Sequence, residues 1–300
     1  MTLSAADDLY RILGIRRCWS QCYVLSVAPI SPPPISPTYN PRVSIDATTA
    51  AGALVETWHY LASVVPGGWT RSNGAGVAAV TGVAVPTLNG VWVQKVDAEA
   101  GDISDLLDQV AATGLPHCLQ FRPGSSTHLV SLAASRGMAH LEDIPLMVSE
   151  DPGHLSAAQA VDGLMIRELL PDEAPLHARV AAAGFEVPPE MFLQLITPAV
   201  LGTQGVRCYL GEAGGQPVTT GLGVKLGSSV GIFNIATPAE HRRRGYGAAV
   251  TARAVADGLA AGAQWSWLQS SAEGYKVYER LGFRTVEAWP CYASQSASIA

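Results

Sequence analysis

The segment Gly231-Ile-Phe-Asn-Ile-Ala-Thr-Pro-Ala-Glu-His-Arg-Arg-Arg-Gly-Tyr-Gly247 constrains this chain more than any other. Its apolar start predicts a strand that ends at Ala236. A short loop and a glycine-rich turn then open a long helix from Gly245 to about Ala261. Ala248, Ala252, Val255 and Leu259 recur at helical spacing on one of its faces. Arg242, Arg243 and Arg244 stand at the start of that helix. Stability alone argues against them there, because a helix N-terminus carries partial positive charge and disfavours each cation by roughly 0.3–1 kcal/mol. The cluster fits if an anion sits among the free backbone N–H groups, and phosphate is the usual one. Gly245 and Gly247 would let the backbone approach it closely.

The flanking sequence supplies a regular alternation. Leu164–Leu169 reads as a strand, followed by helices over 172–183 and 189–196 and strands at about 206–212, 216–226 and 229–236. After the long helix, Trp265–Gln269 reads as a buried strand. Ser271 can cap a further helix whose apolar face is Tyr275, Tyr278 and Leu281 and which Gly282 ends. A last strand is expected at 284–288. The order is β-α-α-β-β-β-α-β-α-β over about 164–292.

Arg242-x-x-Gly245-x-Gly247 resembles the acyl-CoA-binding turn of the GNAT acyltransferase superfamily. Val277-Tyr-Glu-Arg-Leu-Gly-Phe283 resembles the Tyr-x-x-x-Gly-Phe ending of the same superfamily, and the element order is similar too. The turn signature is short, and in a chain this rich in Gly and Ala about one match arises by chance. Indeed Arg71-Ser-Asn-Gly74-Ala-Gly76 also fits it. Val77–Val80 reads as strand, however, so Asn73-Gly74 is better taken as a hairpin turn. Only the copy at Arg242 has a strand before it and a helix after it.

The resemblance implies an α/β fold with a mixed central sheet of GNAT type. It implies acetyl-CoA or another short acyl-CoA as co-substrate, no metal, and direct transfer of the acyl group to an amine of a small molecule or peptide. By the same resemblance, the backbone of Ile235, Ala236 and Thr237 would pair with the pantetheine arm. Arg242, Arg243, Arg244, Gly245, Tyr246, Gly247 and Ala248 would surround the pyrophosphate, with backbone amides carrying most of the grip. Ser271 stands where the family often has Asn. A backbone N–H near Ile235 would stabilise the oxyanion, and Tyr278 would protonate the leaving thiolate. A phenol pKa near 10 suits that task. The alternative for Tyr278 is a core residue; Tyr275 reads as packing. No general base is visible. Asn234 cannot take a proton at neutral pH, and Glu186 and Glu190 read as surface positions sooner than as the lining of a substrate mouth. A non-catalytic acyl-CoA sensor or an interaction protein is the competing reading.

Residues 45–150 read as a worn second copy. Ala112–Gln120 parallels Ala261–Gln269, Leu129–Met138 parallels Gly274–Phe283, and Gly90–Val93 parallels Gly231–Asn234. Where the second copy has its arginines, the first has Asp97-Ala-Glu-Ala-Gly-Asp102. Acids there suit the helix dipole and repel a pyrophosphate. Ala133 stands in place of Tyr278. The first copy is therefore expected to be degenerate. The organisation expected is a Pro-rich extension over 1–44, a degenerate GNAT-like domain over 45–150, a linker over 151–163 and a catalytic domain over 164–300.

The chain has 300 residues, a net charge of −6 and 15% charged residues, which argues against a nucleic-acid binder. Its five cysteines show no metal-ligand spacing and read as reduced thiols in a cytoplasmic protein. No apolar run spans a membrane. Ser20 and Gln21 interrupt the modest apolar stretch after Arg16-Arg17, which argues against a signal peptide. A homodimer stays open.

Overall fold

The computed structural model describes residues 44–125, 127–151, 155 and 161–294. The proline-rich segment, Cys18, Cys22 and most of the expected linker lie outside them. The first half contains α1 (Ala47–Val64), β1 (Trp69–Ser72), β2 (Gly76–Val80), β3 (Asn89–Val93), α2 (Ala100–Ala111), β4 (Cys118–Phe121), α3 (Thr127–Ser135) and β5 (Met138–Ser149). The second contains β6 (Leu164–Glu168), α4 (Ala174–Phe185), α5 (Pro189–Leu195), α6 (Pro198–Leu201), β7 (Val206–Ala213), β8 (Gln216–Leu226) and β9 (Ser229–Ala236). It ends with α7 (Tyr246–Ala260), β10 (Trp265–Gln269), α8 (Ala272–Arg280) and β11 (Arg284–Ser294).

These strands form one eleven-stranded sheet in the order β1-β2-β3-β4-β11-β5-β10-β9-β8-β7-β6. Two pairs are parallel, β3 with β4 and β9 with β10, and each is bridged by a helix, α2 or α7. The two halves thus repeat the same β-β-α-β-α-β path. Their final strands are exchanged: β5 pairs with β10 of the second half, β11 pairs with β4 of the first, and β5 and β11 pair with each other. Gln120 and Gln269, which occupy matching positions in the two copies, meet across this junction, with Gln269 Nε2 donating to Gln120 Oε1 at 3.1 Å. Arg122, at the end of β4, forms a largely buried fork with Glu287 of β11, N···O 2.6 Å.

β11 runs to Ser294, well past the 284–288 expected from sequence. Pro290 lies inside it, although a proline cannot donate to a ladder. On the β5 side Pro290 pairs opposite Asp143 within a continuing ladder, while on the other side β4 pairs only with Cys291–Ala293.

Side chains alternate across the sheet, and the two faces carry different helices. Val77, Ala79, Trp92 and Trp267 pack with α1 on one face. Leu195, Val200 and Leu222 continue that face with Leu61 and Val65 of the first half. On the other, Ala78, Val80, Val91 and Leu119 pack with α2 and α3, and Val230, Ile232 and Leu268 with α7 and α8. Trp58 of α1 stacks on Trp92 at 4.7 Å and meets Phe233 of β9 edge-on at 6.2 Å, so one helix serves both halves. The glycine turn at Gly74 is a hairpin: β1 and β2 are antiparallel, Gly74 has φ +83°, and Asn73 Oδ1 accepts from Ala75 and Gly76 N–H.

Candidate active site

The parallel pair β9–β10 holds together only from Ser229/Trp265 to Gly231/Trp267. Beyond Gly231, β9 continues to Ala236 along β8, while Leu268 and Gln269 of β10 continue along β5. The sheet therefore opens at this point. Gly231 marks the apex: a Cβ there would lie 2.7 Å from the Trp267 ring and 2.8 Å from Phe233. The matching pair in the first half does not open. Its register runs to the last residue of each strand, Val93/Phe121, and Arg122 N–H extends it to Val93 O at 3.3 Å.

Past the apex, β9 is bulged. Leu222 pairs with Phe233 and Thr220 with Ala236, so Asn234 and Ile235 together oppose Gly221. Asn234 has φ +51°, a left-handed conformation that asparagine tolerates better than most residues. A bulge of this kind takes its extra residue out of the ladder. Phe233, Asn234 and Ile235 are half-buried, whereas Ala236 is buried. Asparagine at the end of an apolar strand was the one sequence signal for this kink.

The turn follows directly. Arg243 and Gly245 both have positive φ, +63° and +80°, and curl the chain into α7. Gly245 is the N-cap of α7 and, having no side chain, makes no side-chain cap to its first turn. A Cβ at Gly247 would touch Ile235 and Thr237 at 3.5 Å, which puts the start of α7 against the end of β9. Tyr246 is buried and Ala248 half-buried. The three arginines differ sharply. Arg243 and Arg244 are exposed, and Arg244 donates to Glu240 O. Arg242 turns inward: its Nε donates to Thr237 O at 3.1 Å and its Nη2 to Gly184 O at 2.8 Å, with Glu186 at 3.7 Å. The guanidinium is a tie between the turn, the end of β9 and the end of α4. Gly184 belongs to the same joint, since a Cβ there would meet Ala236 Cβ at 2.8 Å. Glu186 and Glu190 are exposed.

Ser271 caps α8, its Oγ accepting from Gly274 N–H at 3.1 Å. Tyr278 is half-buried, packs edge-on to Phe283 at 6.0 Å and crosses the turn before it, where a Cβ on Gly274 would meet the ring at 2.7 Å. Its hydroxyl has no hydrogen-bond partner among the described residues, and burial pushes the phenol up to about 12. It shares an apolar cluster with Ile232 and Ile235 of one lip and Leu268 of the other. Tyr275, by contrast, exchanges a hydrogen bond with Thr285 at 3.0 Å.

One buried histidine escaped notice in the sequence because no motif surrounds it. His177 of α4 is fully buried, with Nδ1 2.8 Å from Thr220 Oγ1. Thr220 Oγ1 already donates to Tyr209 O, so His177 Nδ1–H is the donor and Nε2 keeps a lone pair with no partner. Burial lowers its pKa to about 4. In the first half, Asp102 lies in the opening turn of α2, and Ala133, buried in α3, occupies the place of Tyr278. Among the described residues no group of three or more His, Cys, Asp or Glu is placed to hold a metal ion. No described helix is long and apolar enough to cross a membrane.

No protein-family model and no curated protein sequence matches this chain. Solved structures do. A GCN5-related N-acetyltransferase from Kribbella flavida superposes with TM-score 0.64 at 18% identity, covering 85% of this chain and 98% of that one. A functionally unknown conserved protein from Staphylococcus epidermidis gives 0.59 at 14% identity over 77% and 95%. A GCN5-related N-acetyltransferase from Sphaerobacter thermophilus gives 0.54 at 16% over 74% and 77%. With the splayed strand pair, the bulge and the helix-opening turn in the same sheet, the chain has the fold of the GCN5-related N-acetyltransferases, laid down as two copies that exchange their last strands.

Proposed function

We propose that the second half is an acyl-CoA-dependent N-acyltransferase that passes an acetyl or other short acyl group directly to an amine, and that the first half neither binds CoA nor catalyses. The observation that carries this reading is the contrast between the two parallel strand pairs. β9 and β10 part at Gly231/Trp267 beside a helix start with no acid in its first turn, whereas β3 and β4 stay paired to their ends beside one that carries Asp102.

The pantetheine arm pairs with the edge of β9 at Ile235–Thr237. The pyrophosphate sits on the N–H groups that open α7, within reach of Arg243 and Arg244, while Arg242 keeps the turn seated on β9. Phosphate at a helix N-terminus is favoured by both the free N–H groups and the dipole. The amine nitrogen attacks the thioester carbonyl, and a bulge N–H near Ile235 holds the oxyanion that forms. As the C–S bond breaks, the proton on the Tyr278 hydroxyl passes to sulfur. The proton released by the amine returns to Tyr278 through water. A phenol at about 12 stays protonated at neutral pH but is a weaker acid than an alkyl thiol, so its contribution falls at the low end for a positioned acid. Ser271 contributes by holding the start of α8, through its cap, and Tyr246 and Ala248 by packing.

The test is free-thiol release from acetyl-CoA against a panel of amines, alongside calorimetric binding of acetyl-CoA. Binding with amine-dependent release supports the reading. Binding without release on any amine would favour an acyl-CoA sensor instead.

A further inference from the structure

Asn234 stands just past the point where β9 loses β10, and its side chain has no part in the mechanism above. Among the described residues, fourteen glycines hold a positive φ, and only Glu186, Asn234 and Arg243 do so without being glycine. Glycine would meet the backbone at 234, φ +51°, with the least strain, so an asparagine there leaves a side chain to be accounted for. That carboxamide is half-buried and makes no hydrogen bond among the described residues. Its neighbours leave for opposite faces. Phe233 meets Trp58 and Trp267 on the α1 face, whereas Ile235 lies against Gly221 and Gly247 on the α7 face. The worn half supplies the contrast. Val93, at the matching position, is apolar, fully buried and paired with Phe121 in an unbroken register.

In the reading above, on which this inference rests, the pantetheine arm runs from Ile235 toward the turn, and an N–H near Ile235 holds the oxyanion. Asn234 comes one residue earlier on the same open edge, beyond the thioester and on the side left for the amine. We infer that Asn234 binds the acceptor. Its Oδ1 accepts a hydrogen bond from one amine N–H and turns the nitrogen lone pair toward the thioester carbon. The carboxamide takes no proton; it holds the nucleophile in place. The acceptor this suits is a primary amine, which gives one N–H to Asn234 and keeps another to lose as the C–N bond forms. A secondary amine has a single N–H and gives up the contact when that proton leaves.

Two variants separate the side chain from the kink. The probes are the most active of butylamine, benzylamine and phenethylamine, and its N-methyl derivative, at saturating acetyl-CoA. Asn234→Gly keeps the left-handed backbone and deletes the amide. Acetyl-CoA affinity by calorimetry should stay within about twofold. kcat/KM for the primary amine should fall about tenfold, the upper worth of one neutral hydrogen bond, while that for the N-methyl amine does not fall. Asn234→Asp still accepts from the amine, so KM for the primary amine should hold. Its charge beside the developing oxyanion should lower kcat. Wild-type kcat/KM for the primary amine in Asn234→Gly overturns the inference, makes Asn234 a bulge former alone and leaves the acyltransferase reading standing. A tenfold loss of acetyl-CoA affinity in Asn234→Gly overturns it as well, by assigning the side chain to the cofactor. Absence of acetyl-CoA binding by the unaltered protein overturns both.

Discussion

Replacing Tyr278 by Phe isolates one atom. The ring keeps its place over Gly274 and its edge-on contact with Phe283 at 6.0 Å. The hydroxyl makes no hydrogen bond among the described residues, so its removal breaks none. Deleting a half-buried hydroxyl that breaks no hydrogen bond should change the unfolding free energy by no more than about 1 kcal/mol in either direction. Acetyl-CoA affinity should stay within about twofold. Turnover is different. A positioned acid is worth about 10²–10⁴, and a phenol raised to about 12 is poorly matched to a thiolate, so the lower figure applies. That is a loss of about 10² in kcat, or roughly 2.7 kcal/mol of transition-state stabilisation. The assays are thiol release with the best amine, calorimetry with acetyl-CoA and thermal unfolding. Tyr275→Phe is the control: it loses only the exposed hydrogen bond to Thr285 and should turn over almost normally. Wild-type turnover in Tyr278→Phe would refute the acid role and leave Tyr278 a packing residue. A large loss of stability would refute the account of its hydroxyl.

Gly245→Asp puts a carboxylate and a side chain at φ +80° where phosphate is proposed to lie; acetyl-CoA affinity should fall at least about tenfold, near 1.4 kcal/mol by calorimetry, and unchanged affinity in a folded variant removes the phosphate assignment. Arg242→Ala unties Thr237 O and Gly184 O and should weaken acetyl-CoA binding, whereas Arg71→Ala, on the exposed β1–β2 hairpin, should not. Titration should end at one CoA per chain, and two sites would show the first half to be functional. His177 makes stability acid-sensitive. Below pH 6.5 the unfolded chain takes up a proton that the folded imidazole refuses until about pH 4, so stability falls as pH falls through that window, by about 3 kcal/mol in all. Denaturant unfolding at pH 7 and 4.5 should show this slope reduced in His177→Gln; an unchanged slope assigns it to other groups.

The order of strands and helices from Leu164 onward was legible because burial imposes periodicity. Val206–Ala213, Gln216–Leu226 and Ser229–Ala236 alternate or run apolar as strands must, and α7 repeats at helical spacing. The turn at Gly245 was legible because left-handed backbone demands glycine there and cations at a helix start demand a reason. The hairpin at Asn73-Gly74 was separable from it for the same local cause: strand, not helix, follows. What sequence could not decide was long-range pairing. Nothing local tells β3 and β4 to close to their ends while β9 and β10 part at Gly231, nor that β5 and β11 cross between halves. Those outcomes depend on which neighbour each edge meets. Arg242 is the sharpest case. Its position beside the turn follows from sequence, but its inward grip on Thr237 and Gly184 exists only because the end of α4 packs against the end of β9. Residue types and local backbone were written in the chain; which strand edge was left open, and which guanidinium was turned inward and which left exposed, was decided by tertiary packing.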